Sequence, residues 1–330
     1  MNSLTSAGTS VSNRFYSVGL VGRMDRWLHA MPHPQLVVEI ASHHVAAARW
    51  GKRRGHLEAG AVEPLPLGAV MPSTVEVNIA QPDAVRAAVR RVFARVPAGG
   101  APIALLVPDL VVRVFILPFD NLPRRADEAL PLLRWRLKKS VPFDVEETVV
   151  SWNRQDGRDG SLEVVIAIAR HQVVREYEQI VESLGAHAGV VLGSTLATLP
   201  LLEERGATLL VRLCGRMMTT VVTNGPNLCV YRSSEMPSEA KTLEPQAMLD
   251  EVFPAVAYYQ DTWGSSIDRA RLTGFGEKQA IFSAALAEEV KISAAPISEA
   301  EGLAGFDASA KDLVNTGLDA LAGWMMNGRP

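Results

Sequence analysis

Residues 36–50 read "LVVEIASHHVAAARW". An apolar run reaches one acid, Glu39, then a small-residue step at Ala41-Ser42, then a second apolar run. Short apolar runs bounded by a turn signal predict buried strands. An acid at such a turn is also where a nucleotide-binding chain brings backbone N–H groups toward phosphate. Those chains place glycine, hydroxyl and lysine here; this one has Ala41, His43, His44 and Ala46. A phosphate turn, an altered phosphate turn and a plain hairpin all fit these residues. Neighbouring side chains on a strand point to opposite faces, so His43 and His44 are expected to be structural or solvent-facing rather than joint ligands, unless the turn breaks that alternation.

Outward from this stretch the pattern continues as strand, turn and strand. "GKRRG" (51–55) is a solvated hairpin tip carrying Lys52, Arg53 and Arg54, and "HLEAGAVEPLPLG" follows it. "QPDAVRAAVRRVFARV" (81–96) predicts a helix with Val85, Val89, Val92 and Val96 on one face. Pro82 and Asp83 suit its first turn. "IALLVP" and "VVRVFILPF" predict two strands. "RADEALPLLRWRLKKSV" predicts a helix with Leu130, Leu133, Leu137 and Val141 as its stripe, kinked or shifted in its start by Pro131. Its Arg134, Arg136, Lys138 and Lys139 fit a solvated face better than a phosphate patch. "ETVVSWNRQ" and "LEVVIAIA" are strands about the turn "DGRDG", followed by a helix (171–185), a strand (188–192) and a helix (194–205).

The second half repeats the theme. "ATLLVRLCG", "MMTTVVT" and "LCVYRSS" predict three strands, the last two joined by the hairpin signal "NGPN". A long helix, "LEPQAMLDEVFPAVAYYQDTWG", is followed by a strand, a glycine turn and a helix in "RARLTGFGEKQAIFSAALAEEV", and one closing helix is expected in "KDLVNTGLDALAGWMM". Two halves that each begin with consecutive strands and end with helices suggest a duplicated α/β fold around a cleft.

Composition narrows the function. The 330 residues are 48% hydrophobic and 21% charged, with a net charge of −3, which gives no general attraction to nucleic acid or anionic lipid. No run approaches the ~20 apolar residues that span a bilayer. The two cysteines, Cys214 and Cys229, lie in apolar strand-like segments, fit a reducing compartment and lack the spacing of a zinc site. Residues 1–34 stand apart as a polar, flexible extension without a signal-peptide cleavage pattern; a weak interfacial or partner-binding helix fits part of it, and Met24 is an alternative start.

The ordered series of elements resembles the PilM family of type IV pilus assembly proteins. The stretches that carry the resemblance are "ALLVPDLVVRVFILPFDNLPRRADEALPLLRWRLKKSVPFDVEETVVSWN", with Leu117-Pro118-Phe119 and Val141-Pro142-Phe143-Asp144; "LEVVIAIARHQVVREYEQIVESLGAHAGVVLGSTLATLPLL"; "MLDEVFPAVAYYQDTWG", with Tyr258 and Tyr259; and "LTGFG". The resemblance runs from about residue 36 to about 325. It implies a duplicated actin-like ATPase (ribonuclease H-like) fold, related to that of the division protein FtsA and of the L protein of type II secretion. On that basis residues 35–205 form the first lobe, with a small inserted α/β subdomain at about 100–195. Residues 206–330 form the second, its closing helix at about 310–326 packing back on the first.

The resemblance also implies a cytoplasmic adaptor that reaches the inner membrane through the N-terminal cytoplasmic segment of a PilN-like protein, its groove lying where the inserted subdomain meets the first lobe. The alternative it leaves is an ATP-binding actin-like switch of pilus, type II secretion or division machinery. Related folds polymerise, so a homo-oligomer stays open.

The family's first phosphate turn reads approximately Asp-Ile-Gly-Ser-Ser-Ser-Val-Lys, against Glu39-Ile40-Ala41-Ser42-His43-His44-Val45-Ala46 here. Its second reads approximately Asp-Ile-Gly, against Arg212-Leu213-Cys214, and Gly193 stands where members carry an acid. Arginine cannot ligate magnesium. The expectation is therefore a degenerate site. It has no catalytic or metal-binding residue and no bound cofactor, ATP being the exception to test; Ser42, Gly215, Gly274 and Gly276 are its remaining nucleotide-facing candidates. Glu39 and Arg212, each first in its turn, should then face one another across the cleft as an ion pair within ~4 Å.

Overall fold

The computed structural model describes residues 33–53 and 55–327. The extension expected at 1–34 lies outside the described residues apart from His33 and Pro34, and these two are held rather than flexible. His33 stacks on Trp324 with ring centroids 4.2 Å apart, and its Nε2 donates to the Trp324 carbonyl at 3.0 Å. The Trp324 indole N–H donates to the Pro34 carbonyl at 2.9 Å. Burial lowers the His33 pKa from 6.5 to about 4, against a smaller opposing effect of the Trp324 carbonyl. The unfolded chain then takes up a proton that the folded one refuses. The stability from this site is whole above pH 6.5 and is lost as pH falls toward 4. The thermal midpoint is expected to decline over that interval, and less steeply in His33→Phe, which keeps the stacking; equal slopes would show that His33 is uncoupled from folding.

The opening stretch is an antiparallel hairpin of β1 (Leu36–Ile40) and β2 (His44–Trp50), with Glu39 opposite Ala46. Both strands are buried almost throughout, which is why they read as continuous apolar runs rather than alternating ones. β3 (Leu57–Pro64) pairs with β2 and alternates between exposed residues and half-buried or buried ones. The connecting tip leaves Lys52 and Arg53 exposed. α1 (Pro82–Arg95) buries Val85, Ala88, Val89 and Val92 against this sheet. β4 (Pro102–Val107) returns parallel to β1.

The chain then leaves the sheet. β5 (Arg113–Phe119), α2 (Ala126–Leu137), β6 (Thr148–Asp156) and β7 (Leu162–Arg170) make a separate antiparallel sheet, order β5-β7-β6, covered by α2. α2 contains Pro131 but starts five residues before it, so the proline does not set its start. Its buried residues are Ala129, Leu133 and Leu137; Leu130 is half-buried and Val141 lies beyond its end. Arg136, Lys138 and Lys139 are exposed, while Arg134 is bonded to Glu146 at 2.9 Å and to the Thr148 carbonyl at 3.1 Å.

α3 (His171–Glu182) and β8 (His187–Gly193) bring the chain back, completing the first five-stranded sheet in the order β3-β2-β1-β4-β8. α4 (Ser194–Thr198) is shorter than the helix expected over 194–205. Pro200 has no N–H to continue the ladder, and the chain tightens into one 3-10 turn at Leu199–Leu201.

The second half repeats the layout. β9 (Ala207–Cys214), β10 (Met217–Asn224), β11 (Asn227–Glu235), α5 (Pro245–Trp263), β12 (Arg269–Thr273), α6 (Gln279–Ala285) and β13 (Ala294–Pro296) build a sheet of order β11-β10-β9-β12-β13. Strand for strand this is the first sheet again: three antiparallel neighbours, then two parallel ones. The expected closing helix is two, α7 (Ala308–Asn315) and α8 (Asp319–Asn327), because the chain turns at Gly317.

α8 packs on α4, β1 and β2 of the first half. Its apolar residues join Val37 and Leu106 from one sheet with Leu210 and Val221 from the other in a single core between the lobes. The inserted sheet also reaches across. Gln155 donates to the Leu228 carbonyl at 2.7 Å and accepts from the Leu228 N–H at 3.0 Å, and Asn227 donates to the Asp156 carbonyl at 2.9 Å. Arg158 donates to the Thr262 carbonyl of α5 at 3.0 Å. The fold is thus a duplicated, two-lobed α/β arrangement whose inserted sheet spans residues 113–170, shorter than the insert expected at about 100–195, because β4 and β8 belong to the first sheet. No described helix is long and apolar enough to cross a membrane.

Candidate functional site in the interlobe cleft

Glu39 stands near the end of β1 and Arg212 near the end of β9, the first strands of the two repeats. The repeat brings them face to face. Arg212 Nη2 lies 3.2 Å from Glu39 Oε1, with side-chain exposures of 2% and 0%. The ion pair expected from the sequence is present.

It is one edge of a larger cluster. Arg212 Nε donates to Asp319 Oδ2 at 2.8 Å, and its Nη1 is 3.9 Å from Asp109 Oδ2. Three buried carboxylates, Glu39, Asp109 and Asp319, therefore surround one buried guanidinium. Asp319 also accepts from Thr198 at 2.6 Å and from Thr273 at 2.9 Å. Asp109 accepts from the Thr195 N–H at 2.8 Å, the Thr195 hydroxyl at 2.5 Å, Thr219 at 2.9 Å and Tyr231 at 3.1 Å. Thr219 is opposite Arg212 in the β9–β10 register, so both project from the same face of the second sheet.

The electrostatics follow from this arrangement. Burial opposes ionisation of Glu39, but His44 beside it and Arg212 across from it outweigh burial and hold its pKa at about 2. Burial alone would lower the Arg212 pKa, but Asp319 and Glu39 carry it well above the ordinary value. The guanidinium is a permanent cation. Burial pushes the Cys214 thiol up to about 12, although Arg212 pulls the other way, and burial likewise raises Cys229 to about 12. Neither cysteine forms a disulfide, and thiols so weakly acidic are poor nucleophiles.

The two histidines depart from strand alternation because His43 belongs to the turn and only His44 to β2. Their rings meet edge to face, His44 Nδ1 lying 3.0 Å from His43 Nε2. His44 is buried, with Nε2 3.5 Å from Glu39 Oε2, and among the described residues neither of those two atoms has a hydrogen-bond partner. His43 is exposed at the mouth of the turn. Although its side chain reaches solvent, the protein packed around the ring disfavours the charged form and, with His44 beside it, lowers its pKa to about 4.

The remaining sequence candidates divide. Ser42 and Gly215 are brought together: a Cβ on Gly215 would lie 2.8 Å from Ser42 Oγ and 3.2 Å from His43 Nδ1. Gly274, at φ +86°, is pressed on β9, where a Cβ would fall 1.7 Å from the Leu213 carbonyl oxygen. That contact fully accounts for glycine there. Gly276 has no atom within 4 Å of a Cβ position. At Gly193, where an acid is missing from the sequence, the structure supplies one from elsewhere. A Cβ on Gly193 would be 3.4 Å from Asp109 Oδ1.

Sequence reasoning misses Asp109 and Asp319 because neither lies in a recognisable turn. Their signal is an acid set directly against apolar sequence, in "ALLVPDLVV" and "GLDALAGWMM". Among the described residues no group of three or more His, Cys, Asp and Glu is arranged to hold a metal ion. With a guanidinium at its centre, the cluster holds charge in place rather than offering open coordination positions.

Comparison with known proteins bears on the fold. The chain is similar to the solved structure of a PilM–PilN type IV pilus biogenesis complex, with a TM-score of 0.69 at 16% identity, over 91% of this chain and 100% of that one. It is also similar, with a TM-score of 0.44 at 12% identity over 72% of this chain and 80% of that one, to the cytoplasmic domain of Epsl, an inner membrane component of the type II secretion system of Vibrio cholerae. A Bacteroides thetaiotaomicron protein with an actin-like ATPase fold gives 0.45 at 10% identity, over 83% of this chain and 93% of that one. No protein-family model matches the chain, and no curated protein matches it in sequence. At 16% identity the first likeness establishes a shared fold.

Proposed function

We propose that this chain is a cytoplasmic scaffold of a type IV pilus inner-membrane platform, binding the N-terminal cytoplasmic segment of a PilN-like membrane protein and acting without ATP hydrolysis. The observation that carries this reading is the guanidinium of Arg212, buried among Glu39, Asp109 and Asp319 between the lobes. Magnesium with a triphosphate needs carboxylates or waters free to coordinate the metal and donors free to meet the phosphates. In this cleft the carboxylates face Arg212, and the hydroxyls of Thr195, Thr198, Thr219 and Thr273 are spent on Asp109 and Asp319. The residues present do not fit a magnesium–nucleotide complex.

The likeness of the fold to a PilM–PilN complex supports the choice of partner. The junction of inserted subdomain and first lobe is the proposed groove. A cavity of about 260 Å³ near that junction is lined by Val77, Ile79, Arg86, Glu176 and Ile180 among others. Arg170, the last residue of β7, donates to the Val75 carbonyl at 2.6 Å beside it.

Calorimetry on the full chain tests the reading with two titrants. A peptide copying the N-terminal cytoplasmic segment of a PilN-like protein is expected to bind saturably, and magnesium-ATP to give no binding heat. Micromolar ATP binding would favour the switch reading instead, and a silent peptide would count against the adaptor.

A further inference from the structure

Asp109 sits in a set of donors that its own strand does not provide. It follows β4 of the first half, while two of its four hydrogen bonds come from Thr219 on β10 and Tyr231 on β11 of the second. The other two come from the Thr195 N–H and hydroxyl. Each carboxylate oxygen takes two of these bonds: Oδ1 from the Thr195 N–H and Tyr231, Oδ2 from the two threonine hydroxyls. Asp109, Thr195 and Thr219 are buried. Burial and the Asp109 charge raise the Tyr231 pKa well above its ordinary value, so its phenol stays a donor. Gly193 lies beside the carboxylate, a Cβ there coming 3.4 Å from Asp109 Oδ1.

Four donors converging on two oxygens, with a guanidinium 3.9 Å away, are what a protein builds to bind a small oxyanion. We propose that Asp109 is a built-in anionic ligand: its carboxylate fills an anion cradle made by both lobes and holds the cleft shut from within, as Arg212 does for the cation. The inference rests on the reading of the cleft as one that takes no nucleotide, and it adds what occupies the anion's place.

An isosteric amide distinguishes this from simple space filling. The amide introduced by Asp109→Asn loses the charge that faces Arg212, and its NH2 group either meets the Thr195 N–H, which can only donate, or forces the Thr195 and Thr219 hydroxyls to reverse from donors to acceptors. The test is thermal unfolding of the full chain, unaltered and as Asp109→Ala and Asp109→Asn, in sodium formate and in sodium chloride of equal ionic strength.

Both variants are expected to lose about 5 °C or more in chloride. Asp109→Ala should recover a large part of its loss in formate, saturably and beyond any shift of the unaltered chain, because formate returns the missing carboxylate. Asp109→Asn should not recover, its place being filled. Asp109→Asn as stable as the unaltered chain would overturn the proposal. So would a folded Asp109→Ala that does not distinguish formate from chloride.

Should Asp109→Ala not fold, Thr219→Val and Tyr231→Phe each remove one donor and keep the anion. Both are expected to lower the midpoint, and no change in either would overturn the cradle. Magnesium-ATP binding by the unaltered chain would overturn the reading of the cleft; failure of formate rescue would overturn only the role of Asp109.

Discussion

Replacing Arg212 with methionine is expected to destabilise the chain by about 3–5 kcal/mol at neutral pH, measured by urea unfolding. Methionine keeps much of the buried volume, so packing accounts for little of the loss. What disappears is the one cation shared by Glu39, Asp109 and Asp319. The intact pair is not itself strongly stabilising, since desolvation opposes attraction; removing one partner leaves buried charge without compensation.

The pH dependence gives a second readout. In the unaltered chain the Glu39 pKa is depressed from 4.5 to about 2, so its contribution is present above pH 4.5 and is lost as pH falls toward 2. Without Arg212 a major support of that depression is gone, and burial favours the protonated acid. The stability gap between the two proteins should therefore narrow as pH falls through this interval. A gap under about 1 kcal/mol at neutral pH would mean that the carboxylates are not held in a dry site.

Adding one methyl group at Gly323 is expected to cost about 3 kcal/mol. The residue lies on α8 against α4, where a Cβ would come within 2.1 Å of the Ala197 carbonyl oxygen and 2.8 Å of Thr198 Cα. Both obstacles are backbone, and no rotamer moves a Cβ away. The helices must separate, and Asp319 rides on α8 one turn earlier, bonded to Thr198 of α4 and to Arg212. Gly323→Ala should thus disturb the ion cluster from a distance. A double-mutant cycle with Asp319→Asn, read by urea unfolding, is expected to show less than additive losses. Strict additivity, or an unchanged Gly323→Ala, would show that α8 can shift without strain.

Much of the fold is legible in the sequence because it rests on local signals. The hairpin at 36–50, the strand triplet after residue 206 and the helices at 82–95 and 245–263 follow from apolar runs, turn residues and helical spacing. Duplication makes Glu39 and Arg212 legible as a pair, since each stands at the same place in its repeat. Asp109 and Asp319 are illegible for the opposite reason: they occupy no repeated place, and only the packing of α8 and of the segment after β4 brings them in. The closing helices read as one because their apolar spacing continues across residue 317, and spacing does not register a single residue of left-handed backbone. His33 and Pro34 look like the end of a polar tail because their anchor, Trp324, is nearly three hundred residues away.

The contact between the inserted sheet and the second lobe has a mechanical consequence. Both covalent ends of the insert belong to the first lobe, while its far tip is bonded to β11 and α5 through Gln155, Asn227 and Arg158. The insert is therefore a strap across the molecule. A load pulling its tip away would be shared by those bonds in parallel, and hydrogen bonds give way over a fraction of an ångström. Tension reaching the insert would thus pass into the second lobe through these bonds and through the packing of β5 on β11, without first passing along the main chain.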